Sequence, residues 1–222
     1  MREFLYFCNE NTKVMLRSYN ISTYRLELRQ KILQTAMQQF KEMGVKNVKM
    51  DDISAIIGIS KRTLYEIYEN KEELLLEGIK FDNERRDRVL KEFASQGERN
   101  EIEVLVKFVK MQMEDLNVIN PLFFVEIHRY KRVVNYLQEY NEERRRSSML
   151  FLRKGVEHGF FMEDINYEIV LEMGNAVMNH VMETKLYERF PIQEIFHNYV
   201  SVLMRGYCTD KGIEELQKWS NS

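Results

Sequence analysis

The densest run of contact chemistry in the chain is Lys61-Arg62-Thr63-Leu64-Tyr65. An Arg fork suits bidentate bonding to guanine, a Thr methyl suits the methyl of thymine, and a Lys ammonium or Tyr hydroxyl suits a phosphate. No comparable set exists for catalysis. The four histidines, His128, His158, His180 and His197, show no H-x-x-x-H or HExxH spacing, and neither a Gly-rich phosphate loop nor a G-x-S-x-G elbow occurs. The two cysteines, Cys8 and Cys208, stand near opposite ends with no CxxC motif, which argues against a zinc site and a disulfide framework and fits a reducing cytoplasm. The chain reads as a non-enzyme with no cofactor and no metal.

The elements around this run meet the packing needs of a helix-turn-helix. In MDDISAIIGISKRTLYEIYE, Met50 to Glu69, Ser54 is the small residue that lets two short helices cross closely. Gly58, four positions later, supplies the turn that needs positive φ. Ile53, Ile57, Ile59, Leu64 and Ile67 fill the wedge between the helices, and Ser60 caps the second of them. A helical hairpin that never meets DNA is the alternative for this pattern. Charge favours DNA: Arg17 to Lys71 holds ten basic against six acidic side chains, while Glu72 onward holds 21 against 27. The phosphate attraction therefore sits where the helix-turn-helix sits.

The remaining sequence predicts an all-α chain. With 222 residues, 44% of them hydrophobic, a packed core is expected. Nine Gly and two Pro are fewer than half the ordinary combined share of roughly 12%, which implies long helices and few turns. Apolar periodicity gives ten helices: Leu26 to Met43, Met50 to Ile57, Lys61 to Tyr68, a long one from after Asn70 to Phe93, and Glu101 to Leu116. The others are Pro121 to Val134, Leu137 to His158, Tyr167 to Leu186, Pro191 to Tyr207 and Gly212 to Trp219. The long fourth helix is expected to pack through Leu74, Leu75, Ile79 and Val89. Residues 94–100, ASQGERN, read as a linker. Apolar runs such as Pro121 to Val125 are far shorter than the ~20 residues of a membrane span, and the N-terminus carries no export signal. Met15 offers a second candidate start, so residues 1–14 read as an extension. The domain expectation is a flexible extension over 1–21, a helix-turn-helix domain over 22–70 and a larger helical domain over 71–222.

From Ile32 to Leu75 the chain also resembles the N-terminal domain of TetR-family transcriptional regulators. The likeness lies in the A-x-x-x-F-x-x-x-G helix, the Gly-Ile-Ser turn, the T-L-Y recognition helix and the following N-K-E-x-L. The C-terminal LMRGYCTDKGIEEL is similar to a tail of some members. The resemblance implies a three-helix DNA-binding unit, a helical domain for ligand binding and dimerisation, and repression relieved by a small molecule. Carried over by position, Lys61, Arg62 and Thr63 would face base edges, and Tyr65 and Lys71 would contact phosphates. This chain has Val48, Lys49 and Met50 where members often begin the second helix with threonine; Lys49 replaces that phosphate contact by charge. Ile57 stands where alanine is common, which opens the local packing.

In the C-terminal half, Phe108, Phe124, His128 and Met178 are the candidate lining of a pocket for an apolar or amphipathic effector, with core packing as the alternative for each. The stripe Val170, Met173, Gly174, Val177 and Val181, with Ile192, Ile195, Phe196, Tyr199 and Leu203 on the next helix, fits a four-helix bundle about a two-fold axis. The alternative is that both stripes face the monomer core. Arg144 to Arg146 reads as a solvated helix face. Together these expectations describe a cytoplasmic homodimeric repressor on a palindromic double-stranded DNA operator, released by a small-molecule effector and with no membrane partner. The competing reading is a helical protein-interaction module that keeps the helix-turn-helix as scaffold.

Overall fold

The computed structural model describes residues 10–220, with side chains for residues 23–218. Ten α-helices and one 3-10 turn make up the described chain. They are α1 (Glu10–Met43), α2 (Met50–Ile57), α3 (Lys61–Ile67), α4 (Lys71–Ser95), α5 (Glu101–Val118), α6 (Pro121–Ile127), α7 (Lys131–Glu157), α8 (Tyr167–Glu183), α9 (Ile192–Tyr207) and α10 (Asp210–Ser220). The 3-10 turn, Leu186–Glu188, lies between α8 and α9. Among the described residues no helix is long and apolar enough to cross a membrane.

Side-chain caps set most boundaries. Ser60, Asn70, Asn100, Asn120 and Asn166 each accept a backbone N–H from the first turn of the helix they open, which satisfies a donor with no intrahelical partner. Gly44 and Gly159 end α1 and α7 at positive φ.

Three expectations are corrected. Helix α1 begins at Glu10, not Leu26, because neither Gly nor Pro interrupts the chain before Gly44. Residues 10–21 of the expected extension continue this helix, and residues 1–9 lie outside the described residues. Leu26, read as the start of the apolar face, is 65% exposed, and burial begins at Ile32. The helix opened by Pro121 stops at Ile127, where the His128 ring nitrogen Nδ1 bonds the Phe124 carbonyl at 2.8 Å and the chain turns into α7. Along α4, Leu74, Leu75 and Ile79 are buried but Val89 is 38% exposed.

Two apolar clusters organise the fold. One joins α1, α2, α3 and the start of α4 to Ile119, Phe123, Ile127 and Val133, so the core under the helix-turn-helix continues beyond residue 70 into α6 and α7. The other gathers Ile102, Leu152, Phe160, Phe161, Tyr167, Met204, Tyr207 and Cys208. There the tail-like segment closes the fold: Phe161 and Cys208 form an isolated β-bridge, and Gly212 lies so close to the Phe160 carbonyl that a Cβ would stand 2.3 Å away.

Candidate nucleic-acid interface

The helix-turn-helix is built on its buried residues. Ser54, Ile53 and Leu64 are 2% exposed or less, and the Ser54 hydroxyl donates to the Asp51 carbonyl at 2.8 Å, so the hydroxyl is satisfied where α2 meets α3. Gly58 adopts φ 79° and its N–H bonds the Ser54 carbonyl at 3.0 Å. Ile57 and Ile59 are half-buried against the same core.

Outside that wedge stand the candidate contact residues. Lys49, Lys61, Arg62 and Tyr65 are exposed and Thr63 is half-buried. The Thr63 hydroxyl lies 2.8 Å from the Ser60 hydroxyl, within the cap of α3. Neither recognition-helix cation is free of a carboxylate: Lys61 pairs with Asp51, and Arg62 Nε donates to Glu66 at 2.8 Å. Both cations have pKa values raised by these bonds. Lys49 opens α2 without a side-chain cap; instead its N–H donates to Asp52 Oδ2 at 3.1 Å. Lys71 is placed differently from the other cations. Half-buried, it donates to the Val45 carbonyl at 2.9 Å, and burial pulls its pKa down against the nearby carboxylates of Glu126 and Asp52. Lys46, absent from the sequence-derived set, is exposed in the same α1–α2 loop.

Two connections fix this unit on the rest of the chain. Arg29 on α1 donates to Glu77 on α4, bonds the Ile67 carbonyl that ends α3 at 3.4 Å, and lies 4.7 Å above the Tyr68 ring. The Tyr68 hydroxyl donates to Glu77 Oε1 at 3.0 Å, and burial first, then Glu77, raises its pKa. The second connection is α6. Asn120 donates its backbone N–H to the Lys41 carbonyl at 2.7 Å and its side-chain amide to the Glu42 carbonyl at 3.3 Å. Glu126, 7% exposed, accepts the Lys46 N–H at 2.7 Å. Helix α6 thus holds the end of α1 and the loop leading to α2.

The comparisons bear on this geometry. The family model described as "Bacterial regulatory proteins, tetR family" matches residues 32–77, which span the α1 core face, α2, α3 and the start of α4. Residues 32–77 thus match the N-terminal domain of TetR-family regulators. Regulators of the TetR family are DNA-binding transcription factors, not enzymes. Most of the chain has counterparts in fold among solved transcriptional regulators. A TetR-family regulator from Agrobacterium tumefaciens is 14% identical, with 83% of this chain and 100% of that one covered at a TM-score of 0.69. CprB from S. coelicolor A3(2), a TetR family protein, is 19% identical over 87% of this chain and 95% of its own, at 0.63. The ketosteroid transcriptional regulator KstR2 of Mycobacterium tuberculosis is 20% identical over 82% and 95%, at 0.52. At these identities the likeness establishes the all-α fold. A comparison with curated proteins finds no match.

The four ligand candidates do not converge. Phe124 lines a cleft of about 150 Å³ bounded by α1, α4, α5, α6 and α7. Phe108 lies on α5 under the Arg144 guanidinium, 5.4 Å from its ring centre. His128 is exposed at the end of α6, and Met178 is half-buried on α8. The dimer stripes split as well: Val181 and Ile192 are buried in the monomer, whereas Met173 is 56% and the neighbouring Val202 73% exposed. Of the arginine run, Arg145 pairs with Glu168 and Glu172 of α8.

Proposed function

We propose that the chain is a homodimeric, cytoplasmic repressor that occupies a two-fold related operator and leaves it when a small apolar or amphipathic effector binds the C-terminal domain. The observation that carries this reading is the cluster of exposed side chains, Lys49 before α2 and Lys61, Arg62 and Tyr65 on α3, held outward by a buried wedge within a TetR-family domain. Lys61 and Arg62 address base edges, and Thr63, with its hydroxyl in the cap, offers its methyl to thymine. Lys49, Tyr65 and Lys71 take phosphates. The exposed Met173 and Val202 support pairing through α8 and α9, since monomer packing leaves them uncovered. Ketosteroid control, attributed to KstR2, supports an apolar effector class.

Selection of bound genomic fragments, followed by footprinting, tests this reading. Protected half-sites are expected roughly 34 to 36 Å apart, or a multiple of that, with dyad symmetry. Duplex binding that does not weaken between low and high salt refutes it in favour of a helical protein-interaction module, and a monomer footprint without symmetry refutes the dimeric operator.

A further inference from the structure

The cleft between α1 and the helices of the C-terminal half joins an apolar wall to a charged edge. Ile79, Ile119, Phe123, Phe124 and Leu137 supply the wall. Lys41 Nζ pairs with Asp82 at 2.6 Å, Arg86 with Asp115 at 3.0 Å, and the Arg85 guanidinium stands 3.9 Å from the same Asp82. Three cations therefore share two carboxylates, and the edge carries one uncompensated positive charge. Both carboxylates and Lys41 are at most about a quarter exposed, whereas Arg85, the surplus cation, is 59% exposed and brings its charge to the cleft from the solvent side.

We propose that this cleft binds a small aromatic or branched-chain carboxylate, whose apolar body lies on the phenylalanine and isoleucine wall and whose carboxylate pairs with Lys41 and Arg85. Size sets the ligand class, because a cavity of roughly 150 Å³ holds a benzene-sized body. Charge sets the sign, because an anion completes the edge and an amine adds to its excess. The site rests on the functional reading above only for its consequence. Lys41 is a node of the α1–α4–α6 junction: its side chain holds Asp82 of α4 while its carbonyl receives the Asn120 N–H. An anion that draws the ammonium away from Asp82 loosens α1 from α4 and so shifts the unit that presents α3.

Calorimetry of the full-length chain without DNA, using benzoate, benzylamine and benzyl alcohol at matched ionic strength, tests the site. Benzoate should bind once per chain and benzylamine at least tenfold more weakly. Lys41→Met should cost benzoate roughly 10- to 100-fold in affinity, and Arg85→Ala, at an exposed position that leaves folding intact, about two- to fivefold. Leu137→Trp, which fills the cleft, should abolish binding in a chain that still melts cooperatively. Benzylamine binding as tightly as benzoate, or benzoate retained by Leu137→Trp, overturns the proposal. A selected operator duplex followed by anisotropy reads the consequence: saturating benzoate should weaken it by roughly 5- to 150-fold. Benzoate binding with operator affinity unchanged overturns the coupling. A chain that binds benzoate and no duplex refutes the repressor reading and leaves the cleft supported.

Discussion

Glu126 offers the sharpest test of how α6 holds the DNA-binding unit. Its buried carboxylate accepts the Lys46 N–H at 2.7 Å and lies close enough to Lys71 to act on its titration. Glu126→Ala leaves that N–H without its charged acceptor and leaves Lys71 with Asp52 as its neighbouring carboxylate. A hydrogen bond to a charged group is worth about 1.5–3 kcal/mol, partly offset by no longer burying a charge. The expected net loss is about 2 kcal/mol, or roughly 4–8 °C in Tm for a chain of this size. Glu126→Gln keeps an acceptor at the same reach and should lose about 1 kcal/mol or less. Urea unfolding of the three proteins reads these differences as midpoint shifts at constant m. Duplex affinity of the Ala variant should fall with its salt slope unchanged, since no phosphate-binding cation is removed. The reasoning fails if Ala lies within 0.5 kcal/mol of the parent, roughly the range of an inconsequential surface change, or if Gln costs as much as Ala.

Arg62→Ala should weaken operator binding by about 1–3 kcal/mol and relax one base position, whereas Glu66→Gln, by freeing the Arg62 guanidinium, should strengthen binding to random duplex; anisotropy on both DNAs separates them. Lys71→Ala should reduce the slope of log affinity against log salt by about one; an unchanged slope with lower stability would make Lys71 an internal tie to Val45. Burial pushes the Cys208 thiol up from 9.0 to about 11, so its protonated form is favoured in the fold, and the stability this supplies below pH 9 is lost as pH rises toward 11. Cys208→Ala should flatten that stretch of the urea-midpoint profile. Gly212→Ala drives a Cβ to 2.3 Å from the Phe160 carbonyl and should destabilise the chain by about 1–3 kcal/mol in thermal melts.

The helix-turn-helix was legible because its signals are local. A turn glycine at positive φ, a capping serine and a small residue at a crossing are each decided within a few residues, and α2 runs from Met50 to Ile57 as its sequence implies. The break after α6 was not legible, because no Gly or Pro marks residues 128–130. Glu126 did leave a signal: a carboxylate inside the apolar run Pro121 to Ile127 is rarely buried without a partner. Its partner lies 80 residues away, beyond any periodicity. The cleft, assembled from residues between Met37 and Leu137, is legible only after folding. Ion pairing of Lys61 with Asp51 likewise depends on how α2 and α3 cross, while Arg62 with Glu66 follows from helical spacing alone.

A Cβ on Gly78 would sit 2.2 Å from the Met37 sulfur, so α1 seats a side chain in a notch of α4 that only glycine leaves open. A tilt of α4 against α1 would turn about that seat. Seven residues of α4 lie on its DNA side, back to Lys71, and seventeen on the other, out to Ser95, giving arms of about 10 Å and 26 Å at 1.5 Å per residue. Tilting about Gly78 therefore gears motion down: a displacement of the far end reaches the recognition helix at roughly two-fifths of its size and in the opposite direction, with a mechanical advantage of about 2.4. Filling the notch by Gly78→Ala would shift that pivot, and with it the ratio between a displacement at Ser95 and the one that reaches Lys71.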